Sequence, residues 1–429
     1  MLSLLGLPNE TLSHIISYVM PDDIENFTRC CQHLYILGLP CLREHRKLKW
    51  TQSYLKLNSY QDDNGLSSVT QELCKIARNP RIAFYRTYLH YREKDYRNPV
   101  TSHGIVGQIV HIDDNRIYDA ICENVTQSVY IHTDHRQIWY NNILIGKQTP
   151  AFALLLTLLP NLRKLDLSCT SFRSISTRLL DNVARSLHRE ENRPLSKLLH
   201  VTLKGKAQEG GREDGRHLRI LALFAQLPSV RVLHGFTLEG GGFEKALWPA
   251  DSSQVTDIDI AYSSIDGLCF SHFLHGFSNL RSFRLTVKDE ESLCWDASAV
   301  HEALLMYTHR TLEVLDISIE YFDLEMEFGS LVDFEVLSVI RMDFGLFVEP
   351  KIRKTKRLVD MLPASVKSLT LGQEREFDEE MDLFAGLAEL KHKRLPCLEE
   401  IIIYADQIKR HEISCCERLG ISVVFKGTD

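Results

Sequence analysis

None of the apolar runs in this 429-residue chain is long enough to cross a membrane as a helix. The longest, "AFALLLTLLP" from Ala151 to Pro160, is about half of the roughly 20 residues that a span requires. The amino terminus has no basic segment, and Pro8 and Glu10 interrupt its apolar start, so no secretory signal is expected. Eleven cysteines are present, but they form no C-x-x-C pair and no regular framework. The neighbours Cys30–Cys31 and Cys415–Cys416 are too close for ordinary disulfides and too isolated for zinc, which points to reduced thiols in apolar surroundings. Positive charge is not in excess either. Fifty Lys and Arg against 57 Asp and Glu leave a net charge of −7, with no overall field to draw nucleic acid or anionic lipid. These deficits predict an intracellular protein, cytoplasmic and/or nuclear, with neither nucleic acid nor membrane as partner.

Catalytic signatures are missing as well. The chain contains no H-E-x-x-H, no G-x-S-x-G, no phosphate-binding G-x-x-x-x-G-K-[ST] and no G-x-G-x-x-G. His132 with His135, and His272 with His275, are pairs without a third ligand nearby, so no metal site is expected. Ser53 and Lys56 make an S-x-x-K with no companion motif. "KIRKTKR", Lys351 to Arg357, reads as a solvated face rather than a nuclear address. Neither enzyme activity nor a cofactor is expected.

What is present begins at the amino terminus with "LSLLGLPNETLSHIISYVMPDDIENFTRCCQHLY". Leu12, Ile15, Ile16 and Val19 recur at i, i+3, i+4 and i+7, the stripe of an amphipathic helix that opens at Pro8. Pro21-Asp22-Asp23 ends it and starts a second helix, its acids suited to a helix amino terminus. Ile24, Phe27, Cys31 and Leu34 continue an apolar face through that second helix. A third segment, from about Leu39 to Trp50, carries the basic run "REHRKLKW". Helices this short cannot cover both faces of one another, so either the rest of the chain or another protein completes the stripe.

The order L-x-x-L-P-x-E-x-L-x-x-I-I-x-Y-V followed by P-D-D-I-x-x-F closely resembles the F-box. Leu4, Leu7, Pro8, Glu10, Leu12, Ile15, Ile16 and Val19 fall on motif positions, as do Ile24 and Phe27. Val19 replaces the common leucine, and Cys30–Cys31 stands where Val-Cys or Val-Ser is more usual. The resemblance implies docking on the Skp-type adaptor of a cullin-RING ubiquitin ligase, through Leu4, Leu7, Pro8, Leu12, Ile15, Ile16, Val19, Ile24 and Phe27.

Residues 49–120 read as a helical connector. Val69, Leu73 and Ile76 have helical spacing, and Asn79-Pro80-Arg81 resembles a connector of fungal F-box proteins. Phe84, Tyr85, Tyr88 and Tyr91 beside Arg81, Arg86 and Arg92 are expected to pack, with the arginines snorkelling to solvent.

Further on, a strand of the form Φ-x-x-Φ-x-Φ recurs at Leu162/Leu165/Leu167, Leu198/Val201/Leu203, Val255/Ile258/Ile260, Leu280/Phe283/Leu285, Leu312/Leu315/Ile317, Val366/Leu369/Leu371 and Leu398/Ile401/Ile403. Less regular copies lie around Val230–Leu238 and Phe334–Ile340. The period averages about 29 residues, with helix-like stretches before several strands. After some strands a hydrogen-bonding residue precedes an apolar one, as at Thr170/Phe172, Ser263/Ile265 and Asp406/Ile408. This resembles a degenerate leucine-rich repeat.

The expected fold is therefore α/β: a three-helix F-box over residues 1–48, then the connector, then an irregular leucine-rich-repeat solenoid over 121–429, a right-handed α/β horseshoe. In such repeats the residues between the apolar anchors face outward on the strand side. Here they include Lys164, Asp166, Ser168, Thr202, Lys204, Asp257, Asp259, Arg284, Asp316 and Tyr404. Asp257 and Asp259 flank Ile258 on one such strand and need not form a catalytic dyad. The mixed charge suits a protein target of unknown identity. By resemblance, the chain is the substrate-recognition subunit of a Skp–cullin–F-box ligase; a non-ligase repeat scaffold is the other reading.

Overall fold

The structure, a computed structural model, describes residues 4–58, 67–92, 115–128, 130–144, 147–168, 182–183, 194–205, 216–238, 240, 243, 250–288, 296–320, 328–343, 346, 357–372, 386–404 and 419–426. The chain is α/β and divides into two compact units, Met1–Leu199 and His200–Asp429. Among the described residues no helix is long and apolar enough to cross a membrane.

The first unit opens with α1 (Asn9–Tyr18), α2 (Ile24–Arg29) and α3 (Gln32–Gln52). Pro8 is the residue just before α1, where its missing N–H costs nothing, and its carbonyl accepts from Leu12 N at 3.0 Å. Leu12, Ile16 and Leu34 form the buried centre of the module, with Leu7, Phe27, Cys31, Leu37 and Cys41 packed partly over it. The third helix begins earlier than the sequence pattern implies. Cys31 is extended and its Sγ accepts from Leu34 N, so it caps α3 instead of continuing α2. Gly38 lies where α3 crosses α2. A Cβ there would stand 2.5 Å from Thr28 Cγ2, so only glycine permits this approach.

Residues 49–120, expected to be a helical connector, contain two strands. β1 (Tyr54–Asn58) is followed by α4 (Ser68–Arg78), a 3-10 turn at Pro80–Tyr85 and β2 (Tyr88–Arg92). Then come α5 (Asn115–Gln127), α6 (Arg136–Leu144), α7 (Gln148–Thr157) and β3 (Lys164–Ser168). The expected boundary at residue 120 thus falls inside α5. The strands pair in parallel, Leu55 beside Leu89 and Leu89 beside Leu165.

The physical reason β1 and β2 escape the sequence pattern lies three residues ahead of Leu55 and Leu89. There the first apolar anchor is replaced by Gln52 and Arg86. Contrary to the snorkelling expected of it, Arg86 is 4% exposed. Its Nε donates to Glu72 Oε1 at 2.9 Å, its Nη2 pairs with the same carboxylate, and its Nη1 donates to Gln52 O at 2.7 Å. Glu72 on α4 is itself buried. A polar cluster therefore fills the place that leucine takes elsewhere.

The second unit runs β4 (His200–Lys204), α8 (Arg216–Ala225), β5 (Val232–Phe236), β6 (Asp257–Ala261), α9 (Gly267–Leu274), β7 (Ser282–Lys288), α10 (Ala297–Thr308) and β8 (Val314–Glu320). It continues with β9 (Val339–Asp343), α11 (Leu358–Met361), β10 (Ser368–Gly372), α12 (Leu387–Arg394), β11 (Glu400–Tyr404) and β12 (Ser422–Lys426). All nine strands are parallel and neighbour one another in chain order. Every strand anticipated from the repeat is present, the two irregular copies included, and the apolar anchors are buried. β12 has Gly420 (φ +71) at the first anchor position, which hides it from the pattern.

One backbone device recurs. The carbonyl just ahead of a strand accepts two successive N–H groups of the next, as Thr256 O does from Arg281 and Ser282, and Arg281 O from Glu313 and Val314. Ser53 O does the same for Thr87 and Tyr88 in the first unit. This shared rule makes β1 and β2 members of the repeat series. On the helix side of the second unit, Phe270, Phe273, Phe277 and Phe283 meet edge to face, Phe273 and Phe277 with ring centres 5.0 Å apart.

Candidate protein-binding surfaces

The amino-terminal helices sort the nine residues expected to bind an adaptor into three groups. Leu12, Ile16 and Ile24 have no exposed surface; they hold the module together and are not on its outside. Leu7, Ile15, Val19 and Phe27 are half-buried, while Leu4 and Pro8 are exposed, Leu4 by 42%. Leu5, Tyr18 and Met20, which the motif does not single out, are exposed beside them in sequence, Leu5 by 51% and Tyr18 by 74%.

The carboxyl end of α1 is covered by the chain itself. Arg81 donates through Nη1 to Ser17 O at 2.8 Å and through Nη2 to Val19 O at 3.3 Å, satisfying carbonyls that a helix end leaves open. Asp22, in the turn between α1 and α2, accepts from Asn161 Nδ2 at 2.9 Å and from Lys197 Nζ at 2.8 Å. The same Asn161 amide donates to Phe84 O at 2.8 Å. His45 of α3 hydrogen-bonds Tyr85 Oη at 3.1 Å, and burial holds the imidazole below its ordinary pKa against the pull of Glu25. Burial likewise pushes the Tyr85 phenol up. Of the two alternatives left open by periodicity, cover by the chain itself is seen at the carboxyl end of α1, while Leu4, Leu5 and Pro8 ahead of the stripe are exposed.

On the strand side of the first unit, Lys164 and Asp166 do not stand alone. Tyr88 Oη donates to Asp166 Oδ2, and His90 Nδ1 lies 3.8 Å from that oxygen. Lys164 Nζ sits 4.9 Å over the Tyr88 ring, whose other neighbour is Tyr54 at 4.9 Å. Burial first, then the bond to Asp166, raises the Tyr88 pKa well above the ordinary phenol value. Tyr54, Tyr88 and His90 belong to the strands missed in the sequence, so this cluster was only half legible. Ser168 occupies the register position beside Arg92.

In the second unit the outward residues align across strands. One row reads Thr202, His234, Asp259, Arg284, Asp316, Arg341, Thr370 and Ile402. Neighbouring strands are about 4.8 Å apart, and the central charges of the row alternate in sign. Arg341 Nη1 lies 3.5 Å from Asp316 Oδ2. Burial raises the Asp316 pKa, opposed by Arg341 and Arg284. Asp257 accepts from Thr256 Oγ1 at 2.6 Å, and Lys204 Nζ lies 5.6 Å over Phe236. Tyr404, on β11, is half-buried.

Asp343, at the end of β9, was not foreseen. Its Oδ2 accepts from Ile319 N at 2.5 Å, and its Oδ1 fills the space where a side chain of Gly372 would stand. Burial lifts this carboxyl to about 6. His234, Arg341 and Asp343 sit on the two irregular repeats, whose outward positions the pattern did not fix.

No family model matches this chain, and no curated protein matches it.

The two histidine pairs noted in the sequence lie in different surroundings. His272 Nδ1 is 3.1 Å from Phe243 O, and His275 packs edge-on against Tyr307. His132 and His135 are exposed, with ring centres 6.0 Å apart. Among the described residues no group of three or more His, Cys, Asp or Glu side chains is placed to hold a metal. Ser263 Oγ accepts from Leu238 N and donates to Ala261 O, and Ile265 is buried. Thr170, Phe172, Asp406, Ile408, Cys415, Cys416 and all but the last residue of "KIRKTKR" lie outside the described residues.

Proposed function

We propose that the chain is the substrate receptor of a Skp–cullin–F-box ubiquitin ligase, with the amino-terminal module as F-box and the strand series as an irregular leucine-rich-repeat horseshoe. One observation carries the reading. The motif residues divide into an inner set that closes the module and an outer set, Leu4 and Pro8 with part of Leu7, Ile15, Val19 and Phe27, that stays open beside Leu5. An isolated helix pair would hide such residues or replace them with polar ones; a module completed by a partner keeps them.

The proposed mechanism is positional. The open face of α1 docks on the Skp-type adaptor, and the outward residues of the second unit hold a protein target. Tethering raises the target's effective concentration at the ligase. Bond making belongs to other subunits, and this chain contributes no catalytic group or cofactor.

The test is binding of the full chain to a purified Skp-type adaptor. Leu4→Asp and Leu5→Asp, both at exposed positions, should each weaken it by about 2 kcal/mol, roughly thirtyfold, with the fold unchanged. Arg284→Glu on β7 should leave it unchanged. An adaptor that does not bind the wild type, or binds the Leu4→Asp and Leu5→Asp variants as well as the wild type, would replace the ligase reading with that of a repeat scaffold.

A further inference from the structure

We propose that the solvent face of α3 is a second docking surface, taking an acidic polypeptide segment that also carries apolar residues. The surface is separate from the open face of α1 and does not depend on the adaptor reading. Ile36, Pro40, Arg43, Lys47 and Trp50 follow one another at spacings of four, three, four and three residues, so they share one line along the helix. All five are exposed, Ile36 by 56% and Trp50 by 87%. At 1.5 Å per residue the line is about 21 Å long. The opposite side of the helix, with Leu34, Gly38, Leu42 and His45, is the buried one.

Two features mark this line as more than a solvated flank. An almost fully exposed tryptophan costs apolar hydration that the fold does not recover, whereas at an interface the same ring is a strong anchor. The cations are also unspent. Lys49, on another side of the helix, lies 3.7 Å from Glu25, but among the described residues neither Arg43 nor Lys47 enters an ion pair. Arg46, exposed beside them, adds a third such charge. In a chain of net charge −7 this is a local reversal of sign.

The order apolar, cation, cation, aromatic selects the occupant. A membrane surface would need a continuous apolar face to insert, and here the cations interrupt it. A nucleic acid would need more phosphate contacts than these few cations supply, and would leave Ile36 and Pro40 unused. An acidic segment with apolar residues at its ends meets every position of the line.

The experiment uses the full chain and fluorescence anisotropy of labelled synthetic peptides. One carries a run of Glu and Asp between Leu and Phe residues at its two ends; a second replaces its acids by Lys; a third is polyglutamate. Phosphatidylserine vesicles and single-stranded DNA complete the set. The first peptide should bind best, more weakly as salt rises, and Trp50→Ala and Arg43→Glu/Lys47→Glu should each weaken it at least about tenfold. Lys47→Arg should retain binding. Leu5→Asp should also leave it unchanged, which separates this surface from the open residues at the amino terminus. Unaltered circular dichroism and unfolding midpoints show that each variant is folded. The proposal fails if the first peptide does not bind, if the α3 variants bind it as wild type does, or if vesicles or DNA bind in preference.

Discussion

Replacing Arg86 by leucine restores the apolar anchor that the repeat pattern asks for, yet it should destabilise the first unit. The guanidinium satisfies Glu72 on α4 and the carbonyls of Gln52 and Tyr54 ahead of and within β1. With Arg86 removed, Glu72 is left as a charge at 1% exposure, its remaining cation among the described residues being Lys75 at 3.4 Å. Breaking a buried pair from one side costs about 3–5 kcal/mol, and the residual lysine places Arg86→Leu near the lower end. Glu72→Leu alone strands the guanidinium similarly. The double variant Glu72→Leu/Arg86→Leu removes both charges, leaves the two carbonyls short of a donor at about 1 kcal/mol each, and should recover part of the loss. The assay is a double-mutant cycle in urea, followed by fluorescence of Trp139, which is buried in the first unit. A cost for Arg86→Leu below about 1 kcal/mol, or a double variant no better than the worse single one, would refute the account of this cluster as a paired anchor.

Neighbouring features carry further expectations. Asp343 has a folded pKa of about 6 against an ordinary 3.8, so it favours the folded state at low pH and that contribution is lost as pH rises through 6. Stability of wild type relative to Asp343→Asn should therefore fall by up to about 3 kcal/mol between pH 4 and 7, read from urea midpoints across pH. Gly372→Ala, whose Cβ would overlap Asp343 Oδ1, should drive the carboxylate outward and flatten that dependence. Gly38→Ala should cost about 1–3 kcal/mol through its clash with Thr28, and Thr28→Ser, which deletes the offending methyl, should rescue part of it in thermal melts. Arg81→Ala should cost about 1 kcal/mol and increase amide exchange in the last turn of α1, where Ser17 O and Val19 O lose their donor.

The repeat was legible where three apolar residues sit at fixed spacing on each strand, because burial of alternate side chains is what a parallel strand with a covered face demands. It failed where tertiary chemistry substitutes for an anchor: an ion pair at Arg86, a backbone role at Gln52, a left-handed turn at Gly420. Those substitutions are long-range, so no local pattern reports them. The same holds for the outward residues. Asp259, Arg284 and Asp316 were placed by alternation alone, but the partnership of Lys164 and Asp166 with Tyr88 required knowing which strand lies beside β3. At the amino terminus, helical spacing identified the stripe but not its division, since Leu12 and Ile16 face inward while Leu4 and Pro8 do not.

The ties that join the amino-terminal helices to the rest of the first unit have a mechanical meaning. Arg81 to Ser17 and Val19, Asn161 and Lys197 to Asp22, and His45 to Tyr85 are five hydrogen bonds that must all break before the helices swing on β1 to β3. At about 1 kcal/mol each, the swung arrangement is populated on the order of once in several thousand molecules. A force applied at α1 therefore reaches the first strands as through a stiff lever, with little lost to bending at the joint.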